Sequence, residues 1–304
     1  MSIAQYIREI GASDHHLSMT ELRKFTECDY SDQAEFFEAW VSVIPERRDE
    51  IAGALVELAE DNVDLDFRLV LSWILNDPDP QVRKIALEGL WEETNPRVMR
   101  KVIELVQTDS DYEIQASAAL LLGRFAYLAS IEELPETASS ELQQVLRDIF
   151  FNTDNSLNVR RRILEALGYF AHTEDIQQAI KQAFASNEQM LRESALVAMG
   201  RSLQTQWLPI ISNSLSEQSP ALRYEAARAA GEMGEEARSL APRIAPLVDS
   251  NDSEVALAAI WALGQIGGDL AKRTLKRIKG NRDTTRSQAA EEALDEIALE
   301  EGLF

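Results

Sequence analysis

The segment Val159–Gly168, VRRRILEALG, decides how this chain is read, because it recurs. LRESALVAMG from Leu191, LRYEAARAAG from Leu222 and VALAAIWALG from Val255 are clear copies. VRKIALEGLW from Val82, IQASAALLLG from Ile114 and TRSQAAEEAL from Thr285 are diverged ones. First residues lie 32, 45, 32, 31, 33 and 30 apart. A period near 32 marks a stacked repeat, in which each unit buries its apolar face only against its neighbours. At about 100° per residue, offsets 0, 4, 5 and 8 of the phrase fall on one stripe. The offset-4 column (Ala86, Ala118, Ile163, Ala195, Ala226, Ala259, Ala289) is nearly all alanine, which suits closely stacked helices.

Working outward, turn chemistry precedes most copies: NDPDP at 76–80, TDSD at 108–111, NTDNS at 152–156 and DSNDS at 249–253. These residues are expected to cap the phrase helices, with Pro80 and Pro220 in first turns. The offset-9 glycines (Gly123, Gly168, Gly200, Gly231, Gly264) are expected to relax packing or end the helix. A second amphipathic segment lies between phrases, as at 95–107, 173–184 and 240–248. Two helices per period, with no strand-like alternation, predict an all-α chain of about seven helical hairpins.

The pattern D-x-x-x-x-V-R-x-x-A-L-x-x-L-G, seen from Asp77 to Trp91 and from Asp154 to Gly168, resembles HEAT repeats. The short period is most similar to the subtype named after phycobilisome lyases. The resemblance covers about residues 77–300 and implies a right-handed α-α superhelix whose phrase helices line a concave groove. Residues 1–76 carry no clean phrase but read as amphipathic helices over 31–44, 46–61 and 64–75, an acidic, diverged cap on a solenoid over 77–304. The 45-residue interval holds an insertion near 127–141.

The chain carries 30 Lys+Arg against 52 Asp+Glu, a net charge of −22. Residues 1–76 hold 6 basic and 16 acidic residues, so −10 of the total. Such a field repels phosphate backbones, so nucleic acid and anionic membrane are not expected partners. The basic exception runs from Lys272 to Arg286, where intramolecular neutralisation or head-to-tail contact with the acidic N-terminal quarter competes with a phosphate site as the expectation. No apolar run approaches the roughly 18 residues of a membrane span. The N-terminus lacks the charge-then-apolar order of a secretory signal, and Cys28 is the only cysteine. A soluble, cytoplasmic protein is expected.

No catalytic constellation emerges. G-x-S-x-G, P-loop and C-x-x-C patterns are absent, Cys28 has no base partner in view, and GQIGG (264–268) reads as a turn. The His-Glu dipeptides of HEAT-repeat hydroxylases do not occur, and His15-His16 is expected to be incidental. Neither metal nor cofactor is expected. The offset-1 column (Arg83, Gln115, Arg160, Arg192, Arg223, Ala256, Arg286) sits inside the stripe, and the resemblance implies a structural ladder of arginines bound to acids and turn carbonyls.

The departures from the phrase carry the functional expectation. Offsets 2, 3, 6 and 10 point away from the stripe, where polar residues are expected. Val197, Tyr224, Leu257 and Trp261 stand there instead, with Arg228 beside them and Tyr169 and Arg201 extending the set. Trp, Tyr and Arg are enriched at binding hot spots. The expected function is a non-catalytic scaffold or adaptor that presents this groove to a protein partner. Packing between repeats is the competing account of the same residues. The resemblance also implies an alternative, a bilin (tetrapyrrole) chromophore lyase subunit or assembly factor.

Overall fold

A computed structural model describes residues 2–12, 17–280, 282–300 and 302. His15-His16 lies outside the described residues. Every regular element among those described is helical, and the chain forms two compact units, Met1–Glu141 and Leu142–Phe304. The fold is all-α, of the α-α superhelix class.

The first unit contains α1 (Ile3–Ile10), α2 (Met19–Leu22), α3 (Gln33–Trp40), α4 (Pro45–Asp61), α5 (Arg68–Ile74), α6 (Pro80–Gly89), α7 (Pro96–Thr108) and α8 (Tyr112–Ser130). The chain then enters α9 (Glu136–Phe151), whose residues are divided between the units. The second unit holds α10 (Leu157–Leu167), α11 (Glu174–Phe184), α12 (Gln189–Arg201), α13 (Leu208–Ser214), α14 (Pro220–Glu232), α15 (Ala241–Ile244), α16 (Ser253–Ile266), α17 (Gly268–Lys279) and α18 (Thr284–Glu300). The seven phrases are α6, α8, α10, α12, α14, α16 and α18. Within the first unit α6 stacks between α4 and α8; within the second, α10 to α18 stack in order through their even-numbered members.

The turns cap as their chemistry predicts. Asp79, Asp111, Ser156 and Asp252 accept backbone N–H bonds from the first turns of α6, α8, α10 and α16. Pro80 and Pro220 each open a helix. Ala86, Ala118, Ile163, Ala195, Ala226 and Ala259 are fully buried. The last phrase departs: Ala289 is half-buried and Ala290 takes the core position. Segment 240–248 also departs, since α15 is flanked by tight 3₁₀ turns over Gly234–Leu240 and Ala245–Asp249. Pro246 has no N–H to return to the Pro242 carbonyl, so a continuous α-ladder cannot form there.

The N-terminal segment is richer than three helices. Ser2 and Gln5 form a capping box that starts α1, a helix the phrase pattern does not reveal. Tyr6, Phe25, Phe36, Trp40 and Trp73 stack into an aromatic core, with successive ring centroids 5.1 to 6.3 Å apart. Buried Asp77 ties this core to the first phrase: it accepts from Trp40 Nε1 at 2.6 Å and pairs with Arg48 at 2.8 Å. The extra residues after the second phrase are mostly helix, in a long α8 and a 16-residue α9 joined by a short turn.

Candidate interaction face on the phrase helices

The arginine column is a ladder. Arg83 donates to the carbonyls of Asp77 and Pro78 at 2.8 and 3.1 Å and to Asp109 at 2.7 Å. Arg223 bonds the carbonyls of Glu217 and Gln218, both at 2.8 Å, and Arg286 those of Val248 and Ser250. Arg192 pairs with Glu217 at 2.6 Å, while Arg160 reaches the Phe150 carbonyl at 3.3 Å. Backbone carbonyls thus accept a charge-assisted donor from the same phrase position at Arg83, Arg160, Arg223 and Arg286, and Gln115 donates to the Asp109 carbonyl from that position. The basic stretch is partly neutralised within the second unit by Arg277–Asp249 and Lys279–Glu291 pairs, each at 2.8 Å.

The candidate face lies on α10, α12, α14 and α16. Arg228 is exposed, as its offset predicts, but Val197, Tyr224, Leu257, Trp261, Tyr169 and Arg201 are half-buried rather than open. Stacking is the cause. A Cβ built on Gly231 would stand 2.8 Å from Trp261 Cε3, so the six-membered ring of the indole packs against a glycine of the preceding phrase. The Arg228 guanidinium covers that indole at 5.5 Å from its centroid, and Arg201 covers the Tyr169 ring at 5.2 Å. Against the effect of burial, Tyr224 beside the Arg228 guanidinium helps raise its pKa, and Glu232 stands 3.6 Å from Arg228. Val197 and Leu257 stand one turn before Arg201 and Trp261. The structure thus connects Tyr169 with Arg201, and Tyr224 with Arg228 and Trp261.

Between these aromatics runs a line of carboxylates that the offset columns do not single out. Glu165 belongs to a position expected to be exposed, yet it is 4% exposed. Ser194 donates to it at 2.6 Å, Arg162 at 2.9 Å, and Arg161 stands 3.5 Å away. Burial pushes the Glu225 carboxyl up to about 7; Arg228 opposes the shift, while Glu165, Glu193 and Glu232 add to it. Burial likewise raises Glu232 against Arg201 and Arg228. Desolvation, with Arg162 alongside, lowers Arg161. Four arginines (161, 162, 201 and 228) therefore meet four glutamates (165, 193, 225 and 232), and this face is locally balanced in a chain of net −22. The signal available in the sequence was a Glu at offset 6 beside Arg161-Arg162, facing a Ser at offset 3 of the next phrase.

No group of His, Cys, Asp and Glu among the described residues is placed to hold a metal ion. Cys28 is half-buried and its thiol is pushed up to about 12, by burial first and then by Asp32, Asp29 and Glu27, which leaves it a poor nucleophile. No helix of the described residues is long and apolar enough to cross a membrane.

Capped helical hairpins, stacked through an alanine stripe and tied by an arginine ladder, define a helical-repeat protein. The profile of the HEAT repeats matches residues 67–150 and 208–295, more than half of the chain, and the protein belongs to the HEAT-repeat family. Among solved structures it is similar to the complex of CpcE and CpcF of phycocyanin lyase from Nostoc sp. PCC7120. That match has a TM-score of 0.54 and 16% identity over 75% of this chain and 86% of that one. An engineered protein (TM-score 0.42, 20% identity, 97% and 88% covered) and human deoxyhypusine hydroxylase in complex with glycerol (0.39, 14%, 97% and 96%) are more distant likenesses. No curated protein matches the sequence.

Proposed function

We propose that this protein is a non-catalytic scaffold that binds a protein partner through the face of α10, α12, α14 and α16. The carrying observation is the pair of arginine-capped aromatics, Arg201 on Tyr169 and Arg228 on Trp261, spread over four consecutive phrases and joined through Glu232. Rigid rings with low conformational entropy and guanidinium groups already fixed in place are what a hot spot requires. The balanced charge of the face favours a partner segment with mixed charge and an apolar or aromatic anchor over a purely cationic one.

A second reading shares these residues. Aromatic rings and arginines would also suit a tetrapyrrole, whose propionates need cationic donors. The likeness to the phycocyanin lyase complex is one of fold, so this reading rests on the side chains alone. One experiment separates the two. The full chain, immobilised in extract of its own cell, should retain a partner that Trp261→Ala combined with Tyr224→Ala releases, while helical circular dichroism stays native. Retention of the partner by the double variant would remove this face from consideration. Incubation of the wild type with free bilin is expected to leave the pigment spectrum unchanged; a shifted visible band lost in the same variant would favour the lyase reading.

A further inference from the structure

A second surface lies in the first unit, remote in sequence from the face just described. The end of α4, the loop before α5 and the end of α6 enclose a groove of about 460 Å³, within the size range of ligand-binding clefts. Its apolar wall is made by Val56, Leu65, Leu71 and Trp91, with Val63 at the lip. Val63 is 96% exposed and Trp91 46% exposed, which for a valine and a tryptophan facing one cleft is an unpartnered apolar surface.

The groove exists because of two departures from the repeat phrase. Gly89 permits close approach: a Cβ there would stand 2.6 Å from Val56 Cγ2 and 2.8 Å from Leu71 Cδ1. Trp91 occupies offset 9, where most other phrases carry glycine. Its indole lines the cleft and remains 46% exposed.

The rim is predominantly acidic. Glu60, Glu88 and Glu92 surround the opening and are exposed, as are Asp61 and Asp64 beside it. Arg68, the cation lining the groove, is held by Asp66 at 2.6 Å and donates to the Glu92 carbonyl at 3.2 Å, and Arg124 stands 3.4 Å from the exposed Glu92 carboxylate, so carboxylates outnumber cations around the opening. An apolar floor inside an acidic rim is complementary to an apolar side chain flanked by cations.

We propose that this groove docks a basic peptide segment of a protein partner, with an aliphatic side chain seated against Trp91 and Lys or Arg residues on Glu60, Glu88 and Glu92. Anionic segments are repelled by the same rim.

The test uses the full chain and a fluorescein-labelled Lys-Leu-Leu-Lys peptide read by fluorescence anisotropy. Saturable binding is expected, weakened at least about ten-fold by Trp91→Ala, the scale of a hot-spot aromatic. Glu88→Gln with Glu92→Gln should weaken it and flatten its salt dependence. Trp261→Ala with Tyr224→Ala should leave it unchanged. Trp91 is nearly half exposed, so its variant should stay folded, which a cooperative melting curve and native helical circular dichroism check. The proposal is overturned if the wild type shows no saturable binding, if Trp91→Ala binds as tightly as wild type, or if a Lys-Ala-Ala-Lys peptide binds as tightly as the leucine one. Loss of binding in the Trp261/Tyr224 variant would likewise assign the peptide to the other face.

Discussion

At the scale of single residues, Glu225 is the most informative group, because its environment opposes its charge. Burial raises it from an ordinary 4.5 to about 7. Between those two values the folded chain binds more protons than the unfolded one. Stability contributed by the neutral carboxyl is therefore fully present below about 4.5, and is lost as pH rises through about 7. Glu225→Gln is neutral at every pH and should abolish this slope. At pH 8 the variant should unfold at higher urea than wild type, by up to roughly 3 kcal/mol, because each ten-fold change in proton affinity is worth about 1.4 kcal/mol. At pH 4 the two should coincide. Parallel stability curves across the range would show that the carboxyl is not strained by its surroundings. Glu165, also buried, differs in kind: Ser194 and two arginines surround it, so its charge is compensated.

At the scale of elements, the glycine column divides between the two roles its offset suggests, since Gly168 caps the end of α10 while later members serve packing. Gly200, Gly231 and Gly264 lie inside α12, α14 and α16, and none has the left-handed backbone of a helix stop. They mark contact points between stacked helices. A Cβ on Gly200 would stand 2.7 Å from Ala229 Cα, which is backbone and cannot swing aside. Gly200→Ala should therefore destabilise the chain by about 1–3 kcal/mol, despite a gain of up to about 1 kcal/mol in helix propensity. Gly53 is the control, since it lies within α4 with nothing within 4 Å of its Cβ position. Gly53→Ala should stabilise by about 0.5–1 kcal/mol. Chemical denaturation of both variants checks the contrast, and equal effects would refute it. True turn glycines occur at Gly267 and Gly268, whose φ values are 65° and 83°. Of the GQIGG stretch, expected to be a turn, only these last two residues turn, while Gly264 to Ile266 remain in α16.

At the scale of the whole molecule, net charge bounds the partners. A chain at −22 should leave a duplex DNA oligonucleotide unshifted in a gel assay, even at low salt where cationic contacts are strongest. The basic face of α17 does not reverse this expectation, because Arg277 and Lys279 already contact Asp249 and Glu291. A salt-sensitive shift would show that local charge on α17 outweighs the total field. The same total leaves room for a cation-rich partner at the groove beside Trp91. It leaves less room at the α10–α16 face, where arginine and glutamate are already matched.

The sequence alone carries the helices of the repeat, their caps and an arginine at offset 1 in five of seven phrases, while the ladder those arginines form is implied by the family resemblance. Period and local chemistry, repeated along the chain, turn a weak local preference into a strong joint one. The sequence also named the aromatic and arginine residues that interrupt the phrase. Their exposure depends on tertiary packing: Trp261, inside α16, packs against Gly231, whereas Trp91, in the turn that follows α6, is 46% exposed at a cleft. Tertiary packing also decided which glutamates are stripped of water and where glycine means contact rather than a turn. A helical wheel gives the direction of a side chain from its own axis. How far the next helix stands from that side chain depends on residues some 30 positions away, and this distance fixes burial, charge and the surface left for a partner.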